Sequence, residues 1–164
     1  MVGLMGVGKS TIGAALAARL GWSFRDSDTD ILAATGLTVR ELRDRDGVDS
    51  MHAREARHLL DALAATEPSV TAAAASVADV PECLIALRSS DVFVVWLQAE
   101  PELLADRFDS SDDHRPAYGD STEVFLARQL AARGTALASV ADLAVEVAGR
   151  TPAEITDVVL EALR

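Results

Sequence analysis

The sequence predicts an α/β fold in three layers, with helices covering both faces of a five-stranded parallel sheet. Three observations carry that expectation. Short apolar runs alternate with helical-period segments along the 164 residues, which is the pattern of a parallel sheet. The run Val92-Phe-Val-Val-Trp-Leu97 is apolar without alternation, as a strand covered on both faces must be. And Gly3-Leu-Met-Gly-Val-Gly-Lys-Ser10 fits G-x-x-x-x-G-K-[ST], a loop that cradles phosphate between a strand and a helix.

That loop has a mechanical logic. Gly6 and Gly8 lack side chains, so the backbone can curl with its N–H groups pointing inward at an anion. Lys9 adds a point charge near the β- and γ-phosphates of a nucleotide, and the Ser10 hydroxyl can ligate magnesium. Lys9 is the only lysine of the chain, which argues against a mere solubility role for it. Residues 9–20 read as a helix whose N-terminal dipole favours the same anion. The candidate nucleotide-binding residues of this segment are Met5, Gly6, Val7, Gly8, Lys9, Ser10 and Thr11. An ordinary glycine-rich turn is the bland alternative. Only Met1 and Val2 precede Gly3, where a buried parallel strand usually has five or six residues; a late start or a trimmed chain would account for it.

After the first helix, Gly21 ends the turn and residues 22–25 form a short strand, with Asp26-Ser27-Asp28 at its carboxyl end. Two helical pieces follow over 31–35 and 39–46, closed by Gly36 and Gly47, and then a long helix over about 48–65. Residues 69–73 are a strand, 81–88 a helix, 92–97 the buried strand and 101–107 a helix. Residues 109–121 are polar and irregular, the place for a lid or binding loop in one domain spanning 1–164. A helix over 122–137 and a strand over 142–147 lead to the last helix. That helix opens on Thr151-Pro152-Ala153-Glu154, an N-cap, a proline at N1 and a capping-box glutamate.

Composition bounds the function. Hydrophobic residues make up 49% and charged residues 25%, as in ordinary globular proteins. A net charge of −11 argues against nucleic acid or an anionic membrane as partner, because both need a basic face. It does not argue against ATP, whose phosphates the loop and magnesium neutralise locally. One cysteine, Cys83, cannot form an internal disulfide, and the three histidines lack metal-ligand spacing. A monomer in the cytoplasm is expected.

Asp26 and Asp28 follow the phosphate loop across one helix and one strand, so their carboxylates face the same crevice as Lys9. One can hold magnesium while the other takes a proton from an attacking hydroxyl. Equally, aspartates here can cap the helix that starts near Thr29, a role that Asp30 also suits.

At this point the chain resembles the shikimate kinases. Residues 3–13 match that family's phosphate loop almost letter for letter, and Phe24-Arg-Asp-Ser-Asp28 fits its F-x-D-x-D. Thr35-Gly36, Asp46-Gly47, Arg115-Pro116 and Arg133 fall at the family's spacings. The resemblance implies a P-loop kinase fold and an enzyme of aromatic amino acid biosynthesis that moves the γ-phosphoryl of ATP, with Mg2+, to a hydroxyl of a small cyclic acid. It assigns Asp26 with Ser10 to the metal, and Lys9, Asp28 and Arg115 to catalysis, with Asp28 deprotonating the acceptor and Arg115 closing over the phosphate. It places Arg107 beside the adenine and Arg133 on the acceptor's carboxylate. Without it, Arg115 and Arg107 read as solvated charges, and Arg133 before Gly134 as a complement to a helix C-terminus.

Two departures fall on the acceptor side. His52 stands where the family has arginine, although Glu55 is retained. Histidine cannot offer a carboxylate two parallel donors, a loss of about 1.5–3 kcal/mol. Ala72-Ala73-Ala74-Ala75 replaces a run of three glycines, and any of them forced to φ > 0 costs about 1–2 kcal/mol. The candidate acceptor-binding set is Asp28, His52, Ala74 and Arg133. An active kinase on shikimate or a related cyclic acid or polyol is one reading. A catalytically degenerate nucleotide-binding regulator is the second. A nucleotide kinase is the weakest, for want of basic residues.

Overall fold

The computed structural model describes residues 1–109 and 121–164. The helices among these residues are α1 (Lys9–Leu20), α2 (Ser27–Thr35), α3 (Val39–Asp46), α4 (Val48–Leu63), α5 (Pro81–Leu87), α6 (Pro101–Asp109), α7 (Thr122–Ala138) and α8 (Pro152–Ala162). The strands are β1 (Ser23–Asp26), β2 (Ser69–Ala72), β3 (Val95–Gln98) and β4 (Leu143–Glu146), and a 3₁₀ turn covers Ala75–Asp79.

Where five strands were expected, the described residues hold four, in two parallel pairs, β1 with β2 and β3 with β4. Met1 and Val2 occupy the gap between the pairs. Met1 O accepts the N–H of Ala73 at 3.0 Å, the Val2 N–H donates to Val95 O at 2.9 Å, and the Leu97 N–H donates to Val2 O at 3.0 Å. Two residues bond to both neighbours in the parallel sense, yet are too short to count as a strand.

β3 begins three residues later than the apolar run suggests. The N–H of Val94 donates to the Asp142 side chain at 2.7 Å, and its carbonyl accepts the N–H groups of Asp142 and Leu143. A side chain therefore takes a bond that a ladder residue would use.

Buried apolar residues form two clusters. One contains Leu16 of α1, Val70, Leu97 and Val145 of the strands and Ile155 and Val159 of α8. The other contains Val2, Ala73 and Val94 with Ala56 and Leu59 of α4 and Cys83 and Leu87 of α5. Helices thus cover the strands from two sides, the three-layer arrangement read from the sequence. The capping box predicted at Thr151 is formed: Thr151 Oγ1 accepts the Glu154 N–H at 3.3 Å, and Glu154 accepts the Thr151 N–H at 2.7 Å. Among the described residues no helix is long and apolar enough to cross a membrane.

Candidate functional site

The carboxyl ends of β1 and β2, the loop before α1 and the inner turns of α3, α4 and α7 enclose a cleft of about 650 Å³. Met5, Gly6, Gly8, Lys9, Ser10 and Thr11 line one end of it. Val7, grouped with them from the sequence, turns its side chain into the core at 1% exposure, so only its backbone is available to the loop.

Gly6 and Gly8 hold φ of 78° and 101°, the left-handed region that a side chain resists, and Gly8 is the N-cap of α1. No side chain caps that helix end, which leaves its first N–H groups to an anion. Lys9 Nζ bends over the loop and donates to the carbonyls of Gly3 (2.9 Å) and Leu4 (3.0 Å). Burial lowers its pKa from 10.5 to about 8, while the charges of Asp28, Asp26 and Glu55 act in the opposite direction.

Asp26 fills the capping role that its spacing left open, and it also faces the phosphate loop. Its Oδ2 accepts the Ser10 hydroxyl at 2.6 Å, and its Oδ1 accepts the N–H groups of Asp28 (3.1 Å) and Thr29 (3.2 Å) as the N-cap of α2. Asp30, the other candidate cap, instead meets His58 Nε2 at 2.7 Å. One carboxylate thus ties the loop to the helix that presents Asp28, which lines the same cleft. A hydroxyl and a carboxylate 2.6 Å apart beside a phosphate cradle are the hard oxygen donors that Mg2+ takes, and the N–H-rich loop with Lys9 fits the triphosphate of ATP.

The far end of the cleft is lined by Arg40 and Arg43 of α3, His52 and Glu55 of α4, Ala72 to Ala75, and Gln129 and Arg133 of α7. The alanine run carries no backbone strain, which corrects one sequence expectation. No residue other than glycine has positive φ among the described residues, and Ala74 sits at φ −62°, ψ 151°. Their methyl groups remain on the cleft wall. His52 has its pKa lowered, first by burial and then by the charge of Arg133, so it is neutral at pH 7. Glu55 is buried and accepts the Ser76 hydroxyl, and its pKa is raised, chiefly by that burial.

Arg133 is a mid-helix residue, because α7 runs through Gly134 to Ala138; the helix-terminus alternative falls. It is buried, and its guanidinium is forked onto Asp79. Sequence reading missed Asp79, Ser76, Arg40 and Arg43. Gln129 was findable, since it lies one helical turn before Arg133 and bonds to it. Arg107 lies exposed near the end of α6 and is not among the residues lining this cleft. Arg115 falls outside the described residues, as does nearly all of the expected lid at 109–121.

Comparison with known proteins bears on this geometry. A family model described as shikimate kinase matches residues 5–164. The shikimate kinase of Synechococcus sp. (strain CC9605) is 32% identical over 163 residues, 99% of this chain and 80% of that protein. That of Caulobacter vibrioides (strain NA1000 / CB15N) is 36% identical over 168 residues, 100% of this chain and 80% of the relative. Among solved structures, shikimate kinase from Acinetobacter baumannii in complex with shikimate superposes with a TM-score of 0.89 at 27% identity, covering 99% of this chain and 89% of that one.

Proposed function

The chain belongs to the shikimate kinase family, and with it to the ATP-dependent small-molecule kinases of P-loop fold; from that premise we propose that its acceptor is shikimate or a closely related hydroxylated ring. The observation that carries the reading is the convergence of Lys9, Ser10, Asp26 and Asp28 on one cleft, with Ser10 and Asp26 joined at 2.6 Å.

In the proposed reaction an acceptor hydroxyl oxygen attacks the γ-phosphorus of ATP and the bond from that phosphorus to the β,γ-bridging oxygen breaks, releasing ADP. Asp28 takes the hydroxyl proton at its carboxylate. Lys9 and the loop N–H groups hold the charge on the phosphate oxygens where it develops, and their fixed positions are their contribution to rate. Ser10 and Asp26 would hold magnesium, which would supply further neutralisation of the phosphates. Arg115 is assigned to the transferred phosphate, Arg107 to the adenine, and His52, Ala74 and Arg133 to the acceptor. The unit is one domain over 1–164, a monomer of the cytoplasm.

A coupled assay for ADP with Mg-ATP and shikimate tests this, with Asp28→Asn as the control. The expected result is turnover that falls by about 10²–10⁴-fold in the variant, the range for loss of a general base. ATP binding without turnover on shikimate or on other cyclic polyols and acids would instead support a nucleotide-binding protein with a regulatory role. The neutral His52 on the acceptor wall is the observation that favours that second reading.

A further inference from the structure

Helices α2 and α4 each contribute to two cavities. Asp28 of α2 and His52 and Glu55 of α4 line the cleft described above. A second cavity, of about 1100 Å³, is lined in part by Arg25 of β1, Asp30 and Ile31 of α2, and Arg57 and His58 of α4. Residues two apart on a helix point about 200° from each other, which is why Asp28 and Asp30 open onto different cavities. On α4, His58 lies one turn beyond Glu55.

Within the second cavity His58 Nε2 meets Asp30 Oδ2 at 2.7 Å and so joins α4 to α2. The imidazole side chain is 10% exposed, against 39% for Asp30, and its other nitrogen, Nδ1, is buried without a protein partner. An ionised carboxylate can only accept, so Nε2 is the donor of this bond. An apolar side chain here would pack without leaving a buried nitrogen unpaired, so the polar ring is explained by its bond to Asp30. Neighbouring cations of the cavity are directed elsewhere, Arg57 onto Asp61 of its own helix at 2.9 Å and Arg54 toward Asp46 of α3 at 3.7 Å. Asp28 therefore stands between two anchored carboxylates. Asp26 ties the start of α2 to Ser10 of the phosphate loop, and Asp30 ties the same helix to the one that carries His52 and Glu55.

We propose that His58 is a positioning residue for phosphoryl transfer: through Asp30 it fixes α2 against α4, and so sets the distance of Asp28 from an acceptor seated against α4. The inference rests on the kinase reading above, in which Asp28 takes the acceptor's proton. His58 touches neither nucleotide nor acceptor and acts through Asp30 and the first turn of α2.

The test measures kcat on shikimate with Mg-ATP, and calorimetric affinity for Mg-ADP, on the natural chain, His58→Leu, His58→Gln, Asp30→Ala and the double variant His58→Leu with Asp30→Ala. His58→Leu should lower kcat about ten- to a hundredfold, the scale of a reacting group misplaced by about 1 Å. Its affinity for Mg-ADP should stay within about twofold, since the loop and Asp26 are untouched. Asp30→Ala should behave alike, and the double variant should lose no more than either single one. His58→Gln, whose amide can donate to Asp30, should recover most of the natural kcat, which a merely structural role would not require. An unchanged kcat in His58→Leu, losses that multiply in the double variant, or a His58→Gln as slow as His58→Leu overturns the proposal. Should His58→Leu fail to fold in thermal unfolding, Asp30→Ala, altered at the more exposed end of the bond, carries the same comparison. A natural chain that binds Mg-ADP but turns over no ring sinks the kinase reading instead, and amide hydrogen exchange then judges His58. Loss of its bond should speed exchange in α2 by about three- to tenfold and leave α1 and α8 unchanged, and equal exchange in α2 overturns the proposal.

Discussion

Lys9 is a cation held where burial disfavours its charge, at a pKa of about 8. A polyphosphate arriving at Nζ favours the protonated form, so above about pH 8 the complex holds more protons than the free protein. Affinity for Mg-ATP should therefore stay level below that pH and weaken above it, by up to about tenfold per pH unit for a single proton. Calorimetry across that range checks this. Lys9→Met should bind about ten- to a hundredfold more weakly at neutral pH, the loss of one charged hydrogen-bonding partner, and should show no bend. A bend that survives in Lys9→Met takes Lys9 off the phosphates. Lys9, Ser10 and Asp26 were legible in the sequence because their chemistry follows from local spacing on a loop, a helix start and a strand end. Asp79 was not. It meets Arg133 from 54 residues away, and no periodicity connects a 3₁₀ turn to the middle of α7.

At the scale of elements, two helical glycines look alike in sequence and differ in surroundings. A Cβ on Gly13 of α1 would lie 2.6 Å from Cε2 of Phe24, a ring packed beneath the helix, and 3.4 Å from Met1 Sδ. One on Gly134 of α7 would meet only Leu130 Cδ1, at an ordinary 3.6 Å. Alanine gains about 1 kcal/mol of helix propensity at either site. Overpacking costs about 1–3 kcal/mol at Gly13 alone, so the signs should part. In chemical denaturation Gly13→Ala should lose up to about 2 kcal/mol, and Gly134→Ala should gain about 0.5–1 kcal/mol. A stabilised Gly13→Ala would mean that the α1–β1 contact is looser than described. The same pair shows where sequence reading reached its limit. Gly134 looked like a helix end because glycine commonly stops helices, but Leu126 and Leu137 are buried on either side of it and carry α7 through. The start of α8 was easier to read, since the cap at Thr151 is a chemical signature within four residues. The 3₁₀ turn at Ala75–Asp79 had no such signature, being entered from a run of alanines with no pattern to read.

Across the whole molecule, the backbone bonds of Met1 and Val2 join the two strand pairs, and the phosphate loop leaves directly from that junction. Val2 is 1% exposed and belongs to one buried cluster, while Leu4 and Val7 of the loop belong to the other. The loop also reaches α2 through Ser10 and Asp26. A ligand closing on the loop therefore bears on both clusters and on both strand pairs, and its binding energy should appear as stability of the whole chain. At a concentration one hundred times its dissociation constant, Mg-ATP should add about 2.7 kcal/mol. For a chain of this length each kcal/mol moves the melting temperature by about 2–4 °C, so a rise of about 5–10 °C is expected in a single transition. Omitting magnesium should shrink that rise. In Asp26→Asn the difference between ATP with and without magnesium should largely vanish, because the amide can still accept the N–H bonds that cap α2 but lacks the charge proposed to hold the metal. Scanning calorimetry on the two proteins reads both effects. A natural chain that melts at the same temperature with and without Mg-ATP would remove nucleotide binding. A magnesium effect that persists undiminished in Asp26→Asn would move the metal to other oxygens of the cleft.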